Sequence, residues 1–387
     1  MHLRHVGTVV VAGGTFLGLL SLPLSGQQAP APSSSAPPLV ITAYNGGPPI
    51  NYTVPRTPWG DPDFQGTWSS DDATMPLNRA QGQTNLYLSD AEFTKRQQDI
   101  ANGVKRGEED ATSTFRNDFA RRAFRQTSLV VDPPDGRVPA TTAEARKRAA
   151  PRDRGTFGDG PFDSYSDFTL YDRCLTRGIV GSTLRVIYGN GNRIVQAPGM
   201  VAISYEMIHD TRVIYTDDRP HPNSAIRQYL GSSRGRWEGD ELVIETTNLT
   251  GETSIGLNGN GLRHSDRMKL TERIKRVAAD VVQYQVTVDD PVTYPRPFTI
   301  SMPLTPLDGG ALLPYDCHEG NLAIRQSLGA ERAEDAALAA DLAKGIKRER
   351  RGVQESGTGG GGRRGGGAGR AGGAPATQAP VEGDQER

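Results

Sequence analysis

The chain has 387 residues, with 44 Lys and Arg against 45 Asp and Glu, a formal net charge of −1. That balance gives no global electrostatic case for nucleic acid or an anionic membrane as partner. With two cysteines, six histidines and no HExxH or His-x-His string, neither a metal nor a cofactor is expected.

Residues 1–26 combine a basic start (His2, Arg4, His5), an apolar run from Val6 to Leu24, and small residues at Ser25 and Gly26. This is the pattern of a secretory signal peptide cut near Gly26, with a membrane anchor as the alternative. No later run is long enough to span a bilayer. The expectation is export to the periplasm or beyond, with no stable membrane span after cleavage. Two cysteines in an oxidising compartment usually pair, which predicts a Cys174–Cys317 bridge. It would close a loop of 317 − 174 = 143 residues, worth at most roughly 5 kcal/mol in chain entropy.

Residues 27–54 are rich in Pro, Ser and Ala and read as a linker. Residues 55–165 read as a turn-rich, partly helical wrapping region with Trp59, Phe64 and Trp68 as anchors. Within it, Ser89 and Glu92 make a capping box for a helix over Asp90 to Asn102. The string "VVDPPDGRVP" is a strand ending in a turn, and Thr141 with Glu144 caps a short helix over Thr142 to Ala150.

A β domain is expected over residues 166–329. Between Thr183 and Thr299 the runs "LRVIYGN", "NRIVQAP", "MVAISYEMIHDTRVIYTD", "RGRWEGDELVIETTN", "MKLTERIKRVAADVVQYQVTVDD" and "FTISMPLTP" alternate as strands. Turn residues separate them, among them Glu238-Gly239-Asp240 and Ala278-Ala279-Asp280. Val282, Tyr284, Val286 and Val288 point one way and Gln283, Gln285 and Thr287 the other, the mark of a sheet with one buried face. The fold class is therefore mainly β, an antiparallel meander closing into a barrel or a strongly coiled sheet. A C-terminal helix is expected over Ala330 to Arg350, within a segment 330–351. Residues 352–387 are a Gly/Arg-rich tail with no apolar periodicity, read as a disordered surface tether rather than a nucleic-acid binder.

The strings "PRTPWGDPDFQGTW", "DPPDGRVP", "YDRCLTRG", "YEMIHDTRVI", "SRGRWEGDELVIETTN" and "CHEGN" resemble those of a large family of exported bacterial proteins. The likeness covers about residues 55 to 335 and implies export without implying an activity. The "GRWEGDELVIET" hairpin and the meander also look distantly like a calycin or lipocalin-type barrel. That likeness implies a cavity for a small molecule.

Three groups of residues are candidates for chemistry. In "YEMIHDTRVI", Glu206 and His209 serve as acid/base if the strand carries them into the barrel mouth, with Tyr205 beside a ligand; the alternative is a hairpin tip. In "DRPHPNSAIRQ", two prolines stiffen a loop that offers His221, Arg219 and Arg227 to an anionic group. In "CHEGN", a bridge would set His318 and Glu319 near Asp172, Arg173 and Arg177, a set suited to acid/base work or ligand binding. The leading expectation is an exported protein that holds a small apolar or amphipathic molecule in a barrel pocket. A cofactor-independent hydrolase, lyase or isomerase using His318/Glu319 or His209/Glu206 is the rival. An envelope interaction protein is the third.

Overall fold

The computed structural model describes residues 37–109, 120–150, 153, 161–307 and 309–350. The signal-peptide and Gly/Arg-tail assignments lie outside them. The described residues from Leu39 onward form one compact unit. Its elements are β1 (Gly66–Ser69), α1 (Asp90–Glu109), β2 (Val130–Asp132), α2 (Ala143–Arg148), α3 (Ile179–Thr183), β3 (Gly191–Ala197), β4 (Met200–Tyr205), β5 (Thr211–Tyr215), β6 (Ser232–Glu238), β7 (Glu241–Thr247), β8 (Lys269–Ala278), β9 (Val281–Asp289), β10 (Phe298–Pro306) and α4 (Ala323–Ala343).

Among the described residues, β1 and β3 to β10 close a nine-stranded barrel, and β2 joins β10 outside that circuit. Closure is made by β1, which pairs with β3 on one side and with β10 on the other. The expected mainly-β barrel is therefore present, with one departure from a pure meander. Strand β6 runs parallel to β5, and the two meet over only Ile214↔Ser233 and Tyr215↔Arg234. The remaining pairings around the barrel are antiparallel.

Local chemistry explains most of the elements. Gly239-Asp240 and Ala279-Asp280 are two-residue links between β6 and β7 and between β8 and β9, with Gly239 at the positive φ of 65° that such a turn demands. The capping box of α1 is made, since Ser89 N donates to Glu92 Oε2 at 2.9 Å. The helix runs on past Asn102 to Glu109. Thr142, not Thr141, caps α2, accepting from Ala145 N at 3.0 Å. The expected strand "LRVIYGN" is absent. Asn190 instead closes a loop by accepting from Val186 N and donating to Val186 O.

The wrapping region is less separate than expected, because β1 and β2 within it are part of the sheet. Phe64 and Trp68 are buried, and Phe64 meets Trp237 edge-on at 5.4 Å. Trp59 is instead on the surface. In α4 the helix starts at Ala323 rather than Ala330. The basic segment behind it folds back, with Arg348 on Asp341 at 2.8 Å and Arg350 on buried Glu331 at 3.1 Å.

The barrel interior is filled. Val282, Tyr284 and Val286 stand directly opposite Leu304, Met302 and Ile300, and all six are at most 4% exposed. Burying each such side chain contributes about 1.5–3 kcal/mol. The opposite face of β9 is buried too, against the expectation of one buried face. Gln283 and Gln285 are 0% and 1% exposed because the segment Val40 to Ala43 lies across them. Val40 N donates to Gln285 Oε1 at 2.8 Å and Ala43 N to Gln283 Oε1 at 3.0 Å. Part of the expected linker is thus a cover that the sheet's amides hold in place.

A candidate site at the parallel seam

The Cys174–Cys317 disulfide is formed, with the Cα atoms 5.6 Å apart. It joins two of three segments that interlock at one end of the barrel. Tyr171 and Tyr315 share a hydroxyl contact at 3.4 Å. The tip between β4 and β5 supplies the rest. Leu313 N donates to Glu206 Oε1 at 3.2 Å, Gly191 N to Glu206 Oε2 at 3.0 Å, and Tyr315 N to His209 Nε2 at 2.9 Å.

The alternative of a hairpin tip is therefore the one the structure adopts. Ile208 and His209 take φ values of 65° and 56°, and a β-branched residue in that region costs on the order of 1–3 kcal/mol. The bonds from Glu206 and His209 to the 313–315 arm hold the tip in this shape. Both side chains clamp backbone rather than face a barrel mouth. His318 and Glu319 are both exposed on a surface turn. The bridge sets that turn beside the 171–177 segment without enclosing either side chain.

An open groove of about 530 Å³ lies along the parallel seam. Beyond the two-residue pairing, β5 and the segment before β6 diverge. Leu175, Val213, Leu230 and Tyr229 supply the groove's apolar lining, and Thr176, Asp210, Gln228 and Arg234 much of its polar lining. Asp210 is its most chemically distinctive group. Thr176 Oγ1 donates to Asp210 Oδ2 at 2.5 Å. Burial holds the Asp210 carboxyl above the usual carboxylate range, against the lowering effect of its bonds from Thr176 and Thr211. A carboxyl perturbed in this way inside a cleft is a candidate for ligand or proton chemistry.

Behind the groove, Arg212 reaches across the barrel from β5 to Glu272 on β8. The pair is bidentate, with both N–O distances 2.6 Å, and Tyr284 Oη donates to Glu272 at 2.8 Å. Tyr205 is buried in the same interior, its phenol pushed up to about 12 chiefly by burial. It does not line the groove.

The remaining residues expected at a ligand are dispersed. His221 stands behind the groove wall, with Nδ1 3.3 Å from Ser232 Oγ and from Thr247 Oγ1. Burial and Arg234 lower its pKa. Arg227 is on the surface and paired with Asp266 at 2.7 Å. Arg173 stacks over Tyr165 at 5.0 Å. Arg177 is 1% exposed and packs 5.7 Å from the Tyr171 ring.

Two features escape motif reading. "GSSRG", Gly231 to Gly235, matches Gly-x-Ser-x-Gly, but Ser233 lies within β6 and its hydroxyl meets Thr246 Oγ1 at 2.8 Å. With no strand-to-helix turn it is not a nucleophile elbow. His264 is buried, with Nδ1 2.8 Å from Ser265 O and Nε2 2.5 Å from Thr253 Oγ1. The carbonyl fixes the proton on Nδ1, so Thr253 donates to Nε2. Thr253 is itself buried.

Among the described residues no His/Cys/Asp/Glu group is arranged to hold a metal ion, and no helix is long and apolar enough to cross a membrane. The chain matches no protein-family model, no curated protein and no solved structure.

Proposed function

We propose that the protein is an exported binder of a small amphipathic molecule, and that its site is the groove at the β5–β6 seam. The observation that carries this reading is the groove's mixed lining, with apolar Leu175, Val213 and Leu230 beside polar Thr176, Asp210 and Arg234. Pockets of this size suit small organic ligands, and a few placed polar groups orient what the apolar wall holds. The filled interior around Arg212, Glu272 and Tyr284 favours the wall over the lumen as the binding place. Export is supported by the disulfide together with the leader pattern at 1–26.

The test is a thermal-shift screen against fatty acids, terpenoids and aromatic acids, repeated in Val213→Trp. A ligand at 100 times its dissociation constant adds about 2.7 kcal/mol to stability. The expected result is a hit whose shift disappears in Val213→Trp while the unliganded fold persists. A screen without hits, or hits indifferent to the substitution, overturns the reading.

A second reading, cofactor-independent acid/base catalysis, draws support from the raised carboxyl of Asp210 rather than from His318 or His209. Asp210→Asn would then keep ligand binding and abolish turnover of the ligand found in the screen. Equal turnover in both forms removes this reading.

A further inference from the structure

One wall of the seam groove is an unfinished sheet edge. Tyr205 N donates to Asp210 O and Thr216 N to Gly199 O, which fixes the parity of the β4–β5 ladder. Alternate residues of an antiparallel strand turn both backbone groups to the same neighbour. Asp210, Arg212 and Ile214 therefore turn to β4, and Thr211, Val213 and Tyr215 to the seam. The pair Ile214↔Ser233 lets β6 engage the flanking Val213 C=O and Tyr215 N–H, as a parallel register requires. Thr211 N–H turns to the Asp210 carboxylate. Thr211 C=O and Val213 N–H are left over, and they bond no other group among the described residues.

These two groups flank Arg212, and are the acceptor and donor that one residue of an added parallel strand needs. An antiparallel partner would need both groups of a single residue, which neither Thr211 nor Val213 has to spare. The segment across the groove does not take them up, since Gln228 N donates to Asn248 O and Gly231 N to Gln228 O. Adding a strand to an exposed edge is a recurring way to hold an extended peptide. The groove's two ends also differ in charge. Asp210 stands at the start of β5, where the amino end of a parallel strand would lie. Arg234 stands at the other end, its guanidinium bonding only the carbonyls of Arg219, Pro220 and Ser233 among the described residues. Between them the edge from Thr211 to Val213 runs about 10 Å at the usual rise of a strand, with Leu175 and Tyr229 as apolar walls.

Granted the groove as the binding site, we propose that its ligand is a short linear peptide of three or four residues with free ends, added parallel to β5 with its amine at Asp210 and its carboxylate towards Arg234.

The test titrates the full chain calorimetrically with the tripeptide Leu-Ala-Leu, with the same peptide N-methylated at alanine, and with its N-acetyl amide. The expected result is saturable binding of the parent, lost in Val213→Trp. Methylation removes the N–H that would meet Thr211 C=O and should weaken binding at least tenfold. Blocking both ends should weaken it by a similar factor. A parent peptide that does not bind, or one indifferent to methylation, overturns the proposal. If fatty acids or terpenoids still give shifts that vanish in Val213→Trp, the groove outlives that failure as a site for another ligand; if they give none, the two readings fall together.

Discussion

The two sides of the barrel are built differently. Strands β8, β9 and β10 are joined by ladders of nine and seven residue pairs, and both faces of β9 are buried. Strands β5 and β6 share two pairs, and their divergence opens the groove. The first side is over-determined by hydrogen bonds and packing. The second depends on side chains that reach it from elsewhere. A ligand site built on the second side gains an opening in the wall without weakening the ladder that holds the barrel closed.

The Arg212–Glu272 pair is the tie between these sides, so breaking it has the largest expected effect. Glu272→Ala leaves the Arg212 guanidinium buried and unpaired, and should lower stability by about 3–5 kcal/mol in urea unfolding. Arg212→Met with Glu272→Leu should recover most of that loss. A double variant as unstable as the single one would mean that the tie acts through shape rather than charge.

Next comes the disulfide. Cys174→Ser with Cys317→Ser should cost about 2–4 kcal/mol. The accompanying rise in amide exchange should centre on residues 312–317 and leave β8–β10 protected. Exchange that rises uniformly would show that the bridge supports the whole barrel rather than its seam end.

On the closed side, Gln283→Ala strips the partner from Ala43 N and the donor to Thr42 Oγ1. A loss of about 1–3 kcal/mol is expected. Proteolysis should then gain access at 40–43 while ligand binding in the groove is unchanged.

The smallest effect is a pH dependence away from both sides. Burial lowers the pKa of His264 below its usual 6.5. Below about pH 6.5 the unfolded chain therefore takes up a proton that the folded one refuses, so stability falls as pH falls. The slope is at most about 1.4 kcal/mol per pH unit for this group. In His264→Gln that part of the acid-side decline should vanish from the stability profile.

Much of the closed side was legible in the sequence because its rules are local. The alternation of Val282 to Val288 and the two-residue link at Ala279-Asp280 specify a hairpin by themselves. The Ser89/Glu92 cap is likewise a matter of three residues' spacing. The seam left no such mark, since two pairs of parallel contact impose no periodicity on β5 or β6. Strand β1 is only "GTWS", and nothing local to those four residues says that they close a barrel. The placement of the acid/base candidates was illegible for a related reason. Glu206 and His209 have the residue types of a catalytic pair, and only the fold shows that they clamp the backbone at 313–315. Asp210, one position further on, is the residue that the groove exposes.

The closure of the barrel by β1 has a consequence for how the chain is made. Trp68 pairs with Pro306, so in a polypeptide growing from its amino end β1 can pair with β3 early but keeps its other edge unpaired until nearly the whole domain has been synthesised. Until β10 arrives, β1 and β9 present unsealed edges, the kind of surface on which strands of other molecules stack. Contacts this remote in sequence also slow folding. A circular permutant that begins at Phe298 and runs through a linker into β1 would make that last contact first.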